Sequence, residues 1–225
     1  MPLRGARCFG FAIPVRPAES ARSALLDRGR PARRLLDTLG VATQHPIMPR
    51  YILTGGPGAG KTSLLGALAL LGYATVEESA RAIIAERLAA GMTPRPPAAQ
   101  FAREILRRDI EKYERTRGLP DPVIFDRGTV EALGSVQENE TWSKFELERM
   151  LMAFPFARPV FILPPWPEIY TVDTERDQTF EDAVHVYEKI VDWYSQCGYP
   201  LHEVPRLPVG ERAKYVHNVV SRSDA

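Results

Sequence analysis

The chain has 225 residues, of which 44% are hydrophobic and 25% are charged, and its formal net charge is +1. This length accommodates one α/β domain with an appendage, and it is sufficient to bury a sizeable core. No apolar stretch reaches the roughly 18 residues of a transmembrane helix, so we expect no membrane span. Cys8 and Cys197 are far apart and lack metal-ligand spacing, which favours free thiols in a reducing, cytoplasmic setting.

The charge is unevenly distributed along the chain. Residues 1–47 contain eight arginines, no lysine and three acidic residues, which gives a net charge of +5. Residues 48–225 hold 21 basic and 25 acidic residues, a net charge of −4. We therefore divide the chain into an N-terminal extension, residues 1–47, and one domain, residues 48–225. The acidic balance of this domain argues against a nucleic-acid-binding face.

The extension is rich in Arg, Ala and Pro, and Gly29 and Pro31 interrupt its one short helical candidate. Three interpretations stay open. It is an upstream reading frame translated from an earlier start, a flexible regulatory tail, or a targeting peptide, since transit peptides are rich in arginine and poor in acids. Met48 stands where a compact phosphate-loop protein would begin, which favours the first.

The most informative stretch follows directly. A short apolar run, Tyr51-Ile52-Leu53, leads into Gly55-Gly56-Pro57-Gly58-Ala59-Gly60-Lys61-Thr62, after which leucines recur at helical spacing. This is a complete GxxxxGK[ST] phosphate loop, or Walker A motif, between a strand and a helix, as the motif requires. The glycines let the backbone N–H groups curl inward, and the helix adds its positive end. We predict that this loop and Ser63 bind a nucleoside triphosphate, with Lys61 at the phosphates and Thr62 on Mg²⁺.

Strand and helix patterns alternate through the rest of the domain. Strands are predicted at about residues 51–53, 73–77, 123–125, 159–163 and 201–204, and helices at about 61–71, 79–90, 98–117, 129–137, 141–154, 179–196 and 210–220. This alternation predicts an α/β fold in three layers, with a parallel five-stranded sheet wrapped by helices on both faces.

Asp126 ends the apolar run Val123-Ile124-Phe125. A buried strand that ends in a carboxylate beside a phosphate loop is typical of a Walker B site, where the acid holds Mg²⁺ directly or through water. An ordinary turn aspartate is the alternative. The next residue is Arg127, whereas ring-forming ATPase motors usually carry a second carboxylate there. The chain also lacks the Asn-Lys-x-Asp stretch with which signalling GTPases read guanine. Both departures favour a small kinase-like ATP enzyme.

Two further segments carry candidate catalytic residues. Glu78 follows the second predicted strand, and Arg81 lies one turn later on the same helix face. In a doubly wound sheet this position faces the phosphate loop, so Glu78 would orient or deprotonate an acceptor hydroxyl and Arg81 would offset phosphoryl charge. A surface ion pair is the alternative. Arg176 lies in a polar segment where small kinases have a lid that covers the phosphates. The alternative is an ordinary solvated arginine in a charged loop.

With these residues the chain resembles a P-loop family of small ATP-binding domains, labelled AAA-type ATPase domains and related to the ribosylnicotinamide kinase domain of bacterial NadR proteins. The resemblance covers about residues 50–220. It rests on the phosphate loop, Glu78-Ser79-Ala80-Arg81, Phe125-Asp126-Arg127-Gly128, Arg176 before a long helix, and Glu203-Val204-Pro205 followed by Glu211-Arg212. It implies a nucleoside-kinase-like sheet, Mg-ATP and, in some members, phosphoryl transfer to a small hydroxylated acceptor. No adenylyltransferase domain accompanies this chain, so the nicotinamide riboside substrate does not carry over.

The sequence therefore predicts a cytoplasmic Mg-ATP-binding protein that transfers the γ-phosphoryl group to a small molecule. Lys61 and the loop would bind the phosphates, Thr62 and Asp126 would hold Mg²⁺, and Glu78 would activate the acceptor. The arginines at 81, 127 and 176 would offset transition-state charge. The alternative is a regulatory nucleotide switch, binding ATP or GTP, that controls a protein or phospholipid partner. In such a switch we would expect an exposed apolar patch near Trp166.

Overall fold

The computed structural model describes residues 49–119, 122–140, 142–170 and 179–223. Its elements, in chain order, are β1 (Arg50–Gly55), α1 (Lys61–Leu70), β2 (Ala74–Val76), α2 (Ser79–Ala89), α3 (Ala98–Arg115), β3 (Val123–Asp126), α4 (Thr129–Asn139), α5 (Lys144–Ala153), β4 (Val160–Leu163), a 3₁₀ turn (Pro167–Ile169), α6 (Phe180–Gln196), β5 (Leu201–Glu203) and α7 (Val209–Ser223). The extension defined above, Met48 and Arg176 lie outside the described residues.

The five strands form one parallel sheet in the order β2-β3-β1-β4-β5. Strands β1, β3 and β4 are buried at every position, whereas the edge strands β2 and β5 contain no fully buried residue. A strand covered on both faces reads as a continuous apolar run rather than an alternating one, which explains why β3 and β4 were plain in the sequence. The predicted α/β class and five-stranded parallel sheet are confirmed.

Helices cover both faces of the sheet, so the domain has three layers. Side chains of β1 alternate between the faces, as the strand period of two requires. Tyr51 and Leu53 join a core cluster with α1 and α7, while Ile52 joins a second, aromatic-rich cluster with α3 and α6. A third cluster lies between α3 and α4, with α5 packed against it. Among the described residues, no helix combines the length and the apolar character needed to cross a membrane.

Helix bounds differ from the predicted ones by a few residues, and capping explains two cases. The helix predicted over 141–154 begins at Lys144, because the side chain of Ser143 accepts the backbone N–H of Glu146 and forms a reciprocal capping box. Thr179 caps α6 in the same way through Asp182, at the residue where the sequence placed that cap.

The strand order places the phosphate loop at the centre of the molecule. Strand β1 lies between β3 on one side and β4 on the other. The connection from β1 runs to β2 on the first side, whereas the connection from the adjacent β4 runs to β5 on the second. Ligands of open α/β sheets bind at such a switch point. The same edge of the sheet gathers the ends of β1, β2 and β3, and with them Gly55, Asp126 and the start of α2.

Candidate active site

The phosphate loop joins β1 to α1 through two glycines in the left-handed region, Gly58 with φ +74° and Gly60 with φ +85°. A Cβ atom on Gly58 would lie 2.4 Å from Cδ2 of Tyr170, so this position requires glycine for two independent reasons. Helix α1 begins at Lys61, directly after the loop. Its positive N-terminal end therefore adjoins the loop, as anion binding requires.

Lys61 is buried inside the loop that precedes it. Its Nζ donates hydrogen bonds of 2.9 Å to the carbonyl oxygens of both Gly55 and Gly56. Burial, followed by repulsion from Arg127, lowers the pKa of Lys61 to about 8. Thr62 and Ser63 are exposed beside it. The ammonium group is thus held in place by neutral carbonyls, and a phosphate oxygen would be a stronger acceptor for it.

Asp126, the last residue of β3, is only 8% exposed, and its Oδ1 atom has no hydrogen-bond partner among the described residues. Burial raises the pKa of this carboxyl, although Lys61 acts in the opposite direction. An unpaired buried carboxylate is costly, so a bound cation would be stabilised here. No group of three or more His, Cys, Asp or Glu in the described chain could hold a metal. Mg²⁺ often takes its other ligands from substrate phosphates and water, and Asp126 with the Thr62 hydroxyl fits that pattern.

Arg127 has a backbone φ of +64°, a left-handed conformation that bulky residues rarely adopt. Its Nη1 forms an ion pair with Glu131, its Nη2 donates to the Gly55 carbonyl at 3.1 Å, and its Nε lies 3.1 Å from Glu78 Oε1 without hydrogen-bond alignment. Burial alone would lower the pKa of Arg127, but the two carboxylates raise it. Strained residues of this kind cost about 1–3 kcal/mol and cluster at functional sites.

Glu78 stands directly before α2, and its carboxylate lies between two arginines. One oxygen faces Arg127, and the other lies 3.2 Å from Arg81 Nε, so the ion pair named above as the alternative does form, although Glu78 itself is largely buried. Burial would raise the pKa of Glu78, but the neighbouring cations, Arg127 first, lower it. The adjacent Glu77 is exposed. Glu78 is therefore ionised at neutral pH, and its basicity would increase if a phosphate drew the arginines away.

Glu131, on the first turn of α4, was missed by the sequence reasoning. Besides its ion pair with Arg127, it accepts hydrogen bonds from the hydroxyls of Thr54 at 2.5 Å and Tyr194 at 3.1 Å. It therefore links β1, α4 and α6 to the guanidinium group. The only sequence signal was its spacing of four residues from Arg127, which is a common spacing for ion pairs.

Two cavities lie beside the Glu78–Arg81 ion pair, since each of the two residues lines one of them. The smaller has a volume of about 320 Å³ and lies over the phosphate loop, where Lys61, Thr62, Ser63 and Arg81 line it. The larger, of about 610 Å³, lies between α2, α3, α4 and α6 and is lined by Glu78 and Arg127 among others. Glu78 contacts Arg81 across the boundary. A donor and an acceptor could thus be held on either side of one carboxylate and two arginines.

Arg212, from α7, closes the far side of the smaller cavity. It is 6% exposed, its Nη1 donates to the Ala59 carbonyl at 3.4 Å, and its guanidinium carbon lies 5.4 Å from the centre of the Trp166 ring. A Cβ atom on Gly60 would lie 2.9 Å from Nη1, so the glycine permits this close packing. Trp166 is accordingly half-buried under an arginine.

Comparison with known proteins establishes the family. A family model described as an AAA domain matches residues 50–212. The chain belongs to this family. The match contains the phosphate loop, Glu78, Arg81, Asp126, Arg127, Glu131 and Arg212, and it confirms the predicted P-loop membership. A search of curated protein sequences finds no match to this AAA domain.

Solved structures of low sequence identity share its fold. A NadR protein superposes with a TM-score of 0.58 at 17% identity, over 78% of this chain and 52% of that chain. Thymidylate kinase from Candida albicans gives 0.56 at 12%, over 79% and 93%. Deoxyadenosine kinase from M. mycoides gives 0.51 at 14%, over 77% and 99%. The AAA domain therefore has the nucleoside-kinase-like P-loop fold that the sequence predicted.

Proposed function

We propose that this protein is a Mg-ATP-dependent kinase that transfers the γ-phosphoryl group of ATP to a hydroxyl group of a small molecule. The observation that carries the proposal is the position of Glu78, which lines the larger cavity, pairs with Arg81 of the smaller one and also faces Arg127. Small-molecule sites are concave and hold a few polar groups that converge on the reacting atoms. The kinase fold of the neighbouring structures supports the proposal.

In the proposed reaction, the acceptor oxygen attacks the γ-phosphorus and forms a new P–O bond. The bond from that phosphorus to the β,γ-bridging oxygen breaks, ADP leaves, and the hydroxyl proton passes to the Glu78 carboxylate. Lys61 and the loop N–H groups stabilise the phosphate charge, and Arg127 and Arg81 offset the charge that develops during transfer. Glu78 is within reach of both arginines, so their movement onto phosphate would free the base.

Asp126 and Thr62 are the residues that would hold Mg²⁺. When bound, the ion neutralises charge on the β- and γ-phosphates. The unpartnered Oδ1 atom of Asp126 supports this assignment. Arg176 stays a prediction, since it lies outside the described residues.

A regulatory switch is the rival function, and one observation weighs against it. We expected such a switch to expose an apolar patch near Trp166, but this ring is half-buried and Arg212 stacks over it. The kinase is therefore the better-supported function.

ATP turnover with and without acceptors tests the proposal. Residues 1–225 are incubated with ATP, Mg²⁺ and a panel of nucleosides, vitamins and sugars, and both ADP and free phosphate are followed. We expect one compound to increase ADP release while free phosphate stays flat. Slow phosphate release that no compound alters would instead favour the switch.

A pair of lysine variants links this activity to the phosphate loop. Lys61→Ala should reduce acceptor-dependent turnover about 10³-fold, because it removes a charge aimed at the transferring phosphate. Lys214→Ala, which changes an exposed lysine on α7, should leave turnover unchanged. Equal activity of the two variants would contradict the proposed site.

A further inference from the structure

The charge on the lining of the larger cavity is strongly unequal. Among the residues that the structure describes, its ionisable lining consists of five carboxylates and two cations, which gives a net charge of −3: Glu78, Asp109, Glu131, Glu138 and Asp192 against Arg127 and Lys189. The smaller cavity over the phosphate loop has the opposite character, because its ionisable lining residues are Lys61, Arg81 and Arg212. The smaller cavity is thus suited to an anionic ligand, and the larger cavity is not.

Both cations of the larger cavity are already paired. Arg127 is held by Glu131 and Glu78. Lys189 lies 3.7 Å from Glu138, and both side chains are more than half exposed, so this pair belongs to the rim. Among the described lining residues, no cation is left to neutralise an anionic acceptor.

Asp109 is a buried carboxylate of this cavity that the proposed chemistry does not use. It lies on α3, is only 7% exposed and accepts a hydrogen bond from the Ser79 hydroxyl. It forms no ion pair with any described residue, and Lys112 on the same helix donates instead to the Glu77 carbonyl at 2.5 Å. Burial raises the pKa of Asp109 to about 6. Since a buried carboxylate without a cation is costly, a ligand that brings a donor to Asp109 would be stabilised.

Part of the cavity lining is apolar. Val186, Ile190 and the Trp193 ring of α6 contribute to it, together with Ile105 of α3. The indole Nε1 of Trp193 donates to the Val130 carbonyl at 2.6 Å, which fixes the orientation of the ring. The volume of about 610 Å³ lies within the range of small-molecule sites. A flat ring of the ligand could stack or pack here while its polar groups face Asp109.

We propose that the acceptor is an uncharged or cationic hydroxyl compound, with an N–H or ammonium donor for Asp109 and a flat ring for the apolar lining around Trp193, and that phosphorylated and carboxylated acceptors are rejected. The proposal rests on the kinase function above and names its substrate class. An anionic acceptor would bring a like charge against the buried Asp109 carboxylate and a predominantly acidic lining, which is unfavourable and gives a basis for rejection.

Matched acceptors that differ mainly in charge test the proposal on the wild-type chain. Adenosine is compared with its 3′-monophosphate, cytidine with its 3′-monophosphate, and nicotinamide riboside with nicotinic acid riboside, each with ATP and Mg²⁺, so that every member keeps its 5′-hydroxyl group. We expect at least one uncharged or cationic member to support ADP release, with kcat/KM at least about 100-fold above its phosphorylated or carboxylated partner. Turnover of the phosphorylated or carboxylated members alone overturns the charge proposal and leaves the kinase standing. Turnover of none of the six overturns the acceptor class proposed here, and the wider acceptor panel described above then decides the kinase function.

A substitution then tests the role of Asp109 with the accepted compound. Asp109→Asn preserves shape, and we expect it to raise the KM for that compound about tenfold while kcat changes less, since a charge-assisted hydrogen bond is lost. Glu111→Gln makes the same change on the same helix at an exposed residue outside the cavity, and it should leave KM unaltered. An unchanged KM in Asp109→Asn would remove Asp109 from the acceptor site.

Discussion

The donor and acceptor sides of this site are built in different ways. The donor side is built mainly on one contiguous loop, residues 55–62, to which the side chains of Arg81 and Arg212 are added. The shape of the loop comes from left-handed glycines, and its Lys61 ammonium group donates to the loop's own carbonyls. The acceptor side comes from four helices, and its lining residues run from position 78 to position 196. Backbone geometry makes the first side, and side chains make the second. A change of acceptor therefore needs only side-chain substitutions, whereas the donor side allows few.

The Glu78→Gln substitution probes the boundary between the two sides and should have the largest effect of the substitutions outside the phosphate loop. We expect kcat to fall about 10²-fold, because a general base is lost, while the KM for ATP changes little. Glu77→Gln is the matched control, since Glu77 is adjacent in sequence but exposed. Steady-state kinetics of both variants with the accepted compound provide the measurement. Turnover by Glu78→Gln within about threefold of wild type would show that Glu78 is not the base.

The Glu131→Gln substitution tests whether Glu131, on the acceptor side, positions Arg127 for phosphoryl transfer. Glu131 holds Arg127 through an ion pair and is itself held by Thr54 and Tyr194. We expect kcat to fall about tenfold with little change in the KM for ATP, as for other outer-shell partners. Tyr194→Phe removes one of its hydrogen bonds and should have a smaller effect in the same direction.

Glu138→Gln is the control for this pair. Glu138 lies on the same helix, α4, but at the exposed rim, where it pairs with Lys189. If Glu131→Gln and Glu138→Gln reduced kcat equally, Glu131 would have no special positioning role. A purely structural role would lower the melting temperature of Glu131→Gln without altering the kcat of the folded fraction.

The smallest expected effect is on the pH dependence of the free energy of unfolding, which should differ between the two sides. The pKa of Asp109 is about 6 in the folded protein and 3.8 as an ordinary value, so the folded state binds more protons between these pH values. Its contribution to stability is therefore present at low pH and lost as pH rises through about 4 to 6. Asp109→Asn should flatten this fall in the free energy of unfolding by up to about 3 kcal/mol, as measured by urea titrations at several pH values.

At alkaline pH, Lys61 should change the stability of the protein in the opposite direction. Its pKa is lowered from 10.5 to about 8, so the unfolded state binds more protons between these values. Stability should then rise with pH through this window, and Lys61→Met should remove the rise. If the free energy of unfolding of a variant depended on pH as in the wild type within its window, the shifted pKa of the substituted residue would be contradicted.

Much of the domain could be predicted from local patterns. The phosphate loop is one contiguous motif, so its glycines, Lys61 and Thr62 needed no tertiary information. Three strands are buried on both faces and read as apolar runs, and their alternation with helices indicates a parallel sheet. The Glu78 and Arg81 pair also follows from helical spacing within four residues. All of these features depend on neighbours in sequence.

The acceptor side could not be predicted in this way, because its residues meet only when α3, α4 and α6 pack around the end of β3. Asp109 and Trp193 looked like ordinary helix residues, and Glu131 like a solvated acid. Their burial and pairing are set by long-range contacts, such as Thr54 with Glu131 across 77 residues. Local sequence thus determined where phosphate binds, since a turn of backbone suffices for that. Only tertiary packing decided which charges stay unpaired in the acceptor cavity, because burial and pairing are properties of the assembled helices.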